Sequence, residues 1–109
     1  MNKFGASFKN QIDTIGIREG ECVLSIIQAA PLSPELTVLL QEKLNHYLQY
    51  ILDGQLHEER PEADNMPKTI ELYLQHPASG VAEEFLIKVK PYIESEGIKF
   101  TLINSAQSV

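Results

Sequence analysis

The stretch TIELYLQ (residues 69–75) decides how the rest of the chain is read. Ile70, Leu72 and Leu74 alternate with Thr69, Glu71, Tyr73 and Gln75, the period of two that a β-strand requires. One face is apolar and the other polar. A strand covered on both faces reads apolar throughout, so this one is covered on a single face. The sheet it belongs to therefore has helices on one side only.

Working back from this strand, LSPELTVLLQEKLNHYLQYILDG (32–54) reads as a helix. Ser33 is a suitable N-cap, and Pro34 fits the first helical position, where its missing N–H costs nothing. Glu35 complements the positive end of the helix dipole. Leu36, Leu40, Leu44, Tyr47, Leu48 and Ile51 recur at three- and four-residue spacing and form one apolar face. Gly54 is a natural stop, so the helix is expected over 34–53. Before it, QIDTIGI (11–17) and CVLSIIQ (22–28) flank the turn signal REGE (18–21) and read as a hairpin.

Working forward, Ala82, Phe85, Leu86, Val89 and Ile93 make the apolar face of a second helix. Pro91 is expected to kink it or shorten its last turn. IKFTLIN (98–104) is the last strand, with Ile98, Phe100 and Leu102 on one face. The order is β-β-α-β-α-β. Two βα crossovers in succession make the last three strands parallel, and right-handed crossovers place both helices on one face. The expected fold is α+β and two-layered: a four-stranded mixed sheet in the order 1-2-3-4, its first strand antiparallel, with two helices on one face. Residues 1–10 read as an N-terminal arm, 11–104 as one domain and 105–109 as a flexible tail. Leu44 and Phe85 are expected in the core, facing the same sheet surface as Leu72.

The bulk properties exclude several classes. The formal charge is −6, from 15 acidic against 9 basic residues. Lys43, Arg60, Lys68, Lys88, Lys90 and Lys99 are scattered along the chain. Neither nucleic-acid binding nor adsorption to an anionic membrane is expected of such a surface. The opening residues MNKFGASFKNQ show no apolar signal-peptide core, and no run reaches the roughly 20 apolar residues of a membrane span. A single cysteine, Cys22, rules out an intramolecular disulfide and a cysteine-rich zinc site. A soluble, cytoplasmic protein is expected, without cofactors.

The helix LLQEKLN (39–45), the segment GQL (54–56) and the loop RPEA (60–63) carry a resemblance. Followed by TIELYLQ and AEEFLIKVKPYIESEGIKF, they resemble a family of small uncharacterised bacterial domains. That family shows an LLQEKLN-Y--FI-SG-L helix and a YPDA-like loop. The likeness spans about residues 12 to 104. It departs at QAAPLSPE (28–35), where the family has a tryptophan, an acid and a histidine. The resemblance implies a fold and no established activity, so it assigns no functional residues.

Three places bear on function. HEERPEAD (57–64) gathers His57 with Glu58, Glu59, Glu62 and Asp64, but its spacing matches neither an EF-hand nor a zincin, and no metal site is expected. His46, one turn after Glu42, reads as a surface pair. His76 and Ser79 lie where the third strand ends and the second helix begins, the end at which open α/β sheets hold ligands. They are the candidate ligand-binding residues. No catalytic set is recognisable, so the residues point away from an enzyme. The leading expectation is a non-catalytic interaction or assembly domain, an accessory or immunity-type protein. The alternative is a small enzyme or ligand binder with its site at the carboxyl ends of strands two to four. A homodimer is expected, with Tyr73 and Ile103 on the polar sheet face and Phe4 and Phe8 in the arm as interface candidates. An unidentified protein partner is the other expectation.

Overall fold

A computed structural model describes residues 5–6 and 11–104; Phe4, Phe8 and the tail 105–109 lie outside the described residues. The chain runs β1 (Thr14–Arg18), β2 (Glu21–Gln28), α1 (Pro34–Leu52), α2 (Gln55–Glu59), a 3-10 turn (Pro61–Ala63), β3 (Lys68–Leu74), α3 (Val81–Ser95) and β4 (Ile98–Asn104). The sheet order is β1-β2-β3-β4. β1 pairs antiparallel with β2, and β2, β3 and β4 run parallel. This is the expected α+β sheet and order, with one addition: α2 sits in what the sequence suggested was only a loop.

Register explains the two faces. Leu24, Ile70 and Phe100 stand side by side across β2, β3 and β4, and Ile26, Leu72 and Leu102 form the next row. Leu24, Ile26, Ile70 and Leu72 are fully buried, in one cluster with Leu40, Leu44 and Tyr47 of α1 and Leu86 and Ile93 of α3. Both long helices therefore cover the same sheet face. Cys22 is fully buried in that layer, and burial raises its thiol pKa, as suits a small apolar core residue rather than a nucleophile. Phe85 departs from its expected place. It is half buried, packed against the core from the α1–α3 groove rather than within it.

Local chemistry sets the boundaries. The Ser33 hydroxyl accepts from Leu36 N–H at 3.1 Å and caps α1. Asp53 closes the helix and Gly54 follows in the left-handed region at φ 93°. The chain then re-enters a helical turn because Leu56, 2% exposed, folds back into the core. α3 continues through Pro91 to Ser95, where a kink or a shortened last turn was expected. Pro91 is exposed, so water can reach the carbonyl that its ring leaves without a donor. The chain leaves the helix through tight bonds, Glu96 N–H to Ile93 O and Gly97 N–H to Glu94 O, both 3.0 Å. None of the described helices is long and apolar enough to cross a membrane.

The β1–β2 turn carries a removable strain. Arg18 pairs with Glu21, leaving Glu19 (φ 53°) and Gly20 (φ 81°) as a two-residue loop with both φ positive. Glycine adopts this freely; glutamate does so at a cost of about 1–2 kcal/mol. Glu19→Asn is expected to raise stability by about 0.5–1 kcal/mol, as asparagine tolerates the left-handed region better. The denaturant midpoint of the variant checks this.

Candidate functional site

The parallel strands end together: Gln28, Leu74 and Asn104 are in register, and Gln75 N–H extends the ladder to Gln28 O at 3.0 Å. α1 and α3 both start after strands that end here, so loops and helix starts gather at this edge. His76 and Ser79 lie in the β3–α3 loop, and both are exposed. A cavity of about 370 Å³ opens beside them, between α3 and the end of β4. Pro77, Ala78, Leu86, Phe100, Leu102 and Asn104 line it, with Glu83, Ile87 and Lys90; His76 and Ser79 do not. The Oδ1 of Asn104 is buried without a hydrogen-bond partner. Lys90 donates to Phe100 O at 3.3 Å and lies 3.7 Å from Glu94, which holds its ammonium near the rim. Chemically, this is a mostly apolar slot with one unsatisfied acceptor.

At the β1–β2 side of the same edge stands a buried ionic network. Lys43 projects from the middle of α1 and is fully buried, as is the side chain of Asp13, just before β1. Their Nζ and Oδ1 are 2.5 Å apart. The other Asp13 oxygen accepts from Gly5 N–H at 2.9 Å and Ile27 N–H at 3.0 Å. Lys43 also donates to Gly5 O at 2.8 Å, and Gln28 Oε1 accepts from Ala6 N–H at 2.7 Å. Tyr47 accepts from Asp13 N–H at 2.7 Å and donates to Ser25 O at 2.6 Å. A buried charge is tolerated when it is paired and its remaining hydrogen-bonding positions are filled, as they are here.

The sheet face away from the helices carries a second polar cluster. Arg18 contacts Glu71 at 2.5 Å, and Tyr73 OH donates to the other Glu71 oxygen at 2.9 Å. The hydrogen bond to Glu71 raises both the Arg18 and the Tyr73 pKa. Both Glu71 oxygens are thus occupied, and the residue is 5% exposed although no described helix covers it. Thr69 donates to Glu21 at 2.9 Å on the same face. Next to the cluster, Ile27, Tyr73 and Ile103 form a half-buried row across three strands.

The acidic stretch is occupied by internal contacts. His57 Nδ1 meets Asp64 Oδ2, Lys68 donates to Asp64 O at 3.0 Å, and Glu59 accepts from Tyr50 OH at 2.6 Å. Among the described residues no three His, Cys, Asp or Glu side chains converge as a metal-binding group. The Tyr50 and Gln55 hydrogen bonds hold Glu59 below the usual carboxylate range.

The two helix tyrosines make the fold sensitive to alkali. Desolvation, reinforced by Glu59, pushes the Tyr50 phenol up to about 12, and burial raises Tyr47 further. An unfolded phenol ionises near pH 10. The folded state keeps its proton longer, so this contribution is complete below about pH 10 and falls as pH rises toward the folded values. Stability is expected to drop between about pH 10 and 12, with the tyrosinate absorbance of the two buried phenols appearing together with unfolding. Tyr50→Phe should flatten the first part of that decline; an unchanged profile would refute the assignment.

Asp13 and Lys43 escape a reading of the sequence that sends charges to the surface. The available signal was spacing. Lys43 lies three residues after Leu40 and four before Tyr47, inside the apolar stripe. Asp13 stands two residues before Ile15 in the alternation of β1.

Residues 6–106 match the family of unknown function DUF6572, and the chain belongs to that family. No curated protein and no solved structure matches the chain.

Proposed function

We propose that this member of the DUF6572 family is a non-catalytic interaction domain that associates with a second copy of itself through the sheet face opposite α1 and α3. The observation that supports this reading is the row Ile27–Tyr73–Ile103, which lies across adjacent strands on a face without a described helix. Around it the face mixes Arg18 and Lys99 with Glu21 and Glu71, so two copies related by a two-fold axis can place opposite charges together. The central Arg18–Glu71–Tyr73 cluster is already hydrogen-bonded, and its burial leaves no unsatisfied charge. Light scattering at micromolar concentration is expected to give about twice the chain mass of 12.3 kDa. Tyr73→Lys with Ile103→Lys should give a monomer with unchanged far-ultraviolet circular dichroism. A native chain that stays monomeric at hundreds of micromolar would exclude this association.

A second reading, a small-ligand binder, is favoured by the cavity of about 370 Å³ at the carboxyl edge and the partnerless Asn104 acceptor that lines it. A cytoplasmic setting suits either reading, since a lone cysteine fits a reducing compartment, and the family resemblance suggests a bacterial one. Screening for small molecules that raise the melting temperature of the native chain, but not of Asn104→Leu, tests it.

A further inference from the structure

The contacts made by Gly5 and Ala6 are those of a bound peptide. Three successive main-chain groups are each met by a different side chain: Gly5 N–H by Asp13, Gly5 C=O by Lys43, and Ala6 N–H by Gln28. Side chains also discriminate which residues fit. A Cβ on Gly5 would lie 2.7 Å from Gln28 Oε1 and 3.1 Å from Ile27 O, and its φ of 98° disfavours any L side chain. The Ala6 methyl is fully buried in the core cluster, where a larger side chain would meet packed neighbours. Asp13, Lys43 and Gln28, buried together with the segment, thus form a set that reads a main chain and selects Gly followed by Ala. Gly-Ala occurs once in this sequence, at residues 5–6.

We infer that Asp13, Lys43 and Gln28 constitute a peptide-binding site for a Gly-Ala segment, and that the segment is exchangeable between two copies of this chain. All three reading side chains belong to the body of the domain. The same contacts therefore form whether residues 5–6 come from the same copy or from another, and exchange between copies costs little beyond association itself. The inference deepens the self-association reading by naming a contact between copies, but it is carried by the helix side of the sheet.

The test uses full-length Gly5→Val chain, whose own segment cannot seat, and a labelled peptide of residues 1–8. Saturable binding is expected for the Gly5→Val chain. The native chain, whose site is filled, should bind at least tenfold more weakly, as should a peptide carrying Gly5→Val with either chain. Labelled chain with native Gly5 should likewise associate with the Gly5→Val chain when both also carry Tyr73→Lys and Ile103→Lys. Equal binding of both peptides, no binding to a folded Gly5→Val chain, or no association between those two chains would overturn the inference. Adding Tyr73→Lys and Ile103→Lys to the Gly5→Val chain separates the two proposals, because peptide binding should survive loss of the sheet-face row. Should Gly5→Val not fold, hydrogen exchange of the native chain decides. Gly5 and Ala6 amides that exchange well before Leu72 support an exchangeable segment; exchange in step with Leu72 overturns it.

Discussion

Replacing Lys43 with methionine is expected to destabilise the domain by about 3–5 kcal/mol, a large part of the 5–15 kcal/mol typical of a domain. The substitution keeps the length of the side chain but leaves the Asp13 carboxylate buried without its cation. It also removes the donor to Gly5 O. Charge rather than shape carries the effect, so Asp13→Asn with Lys43→Met should recover part of the loss. A thermodynamic double-mutant cycle from denaturant melts measures it. If Lys43→Met melts at the native midpoint, the ammonium is not the partner that the carboxylate depends on.

Leu44→Ala is the second large effect, at roughly 2–5 kcal/mol. Leu44 is 1% exposed, between the sheet and the α1–α3 groove. Truncation removes buried methyl groups and leaves a cavity that helices held on both sides cannot close. Phe85→Ala serves as the comparison: Phe85 is half buried at that groove, water already reaches part of its ring, and its truncation should cost less. Equal losses for the two would contradict the burial difference between them.

The pair also marks where the sequence was readable, at Leu44, and where it was less so, at Phe85. Leu44 lies in a stripe whose spacing alone locates it, and the sheet order followed from the alternation at 69–75 and the two crossovers. Ser33, Pro34 and Gly54 delimited the first helix because capping is local chemistry. What stayed hidden depends on contacts distant in sequence. Lys43 and Asp13 are 30 residues apart, and only the fold makes their mutual burial tolerable. Glu71 looked like an ordinary solvent-facing strand residue, yet Arg18 and Tyr73 close over it. α2 is too short for a periodicity to appear, although Leu56 in an acidic stretch was a sign that the chain turns inward there. His76 and Ser79 were chosen by fold analogy. The cavity beside them is lined by Pro77 and Ala78 of the same loop, so analogy indicated the edge of the sheet but not the residues that shape it.

The strand order β1-β2-β3-β4 has a consequence for how the molecule is made. A ribosome delivers the strands in the order in which they stand side by side. Each arriving strand can add to the one before it, and none must be threaded between two that have already joined. α1 is complete before β3 emerges, so the first hairpin has a helix to lie against while the remainder is still being translated. The outer margin of β1 stays open throughout; on the other side the strand most recently delivered has the unpaired margin, and the next delivery covers it until β4 completes the sheet.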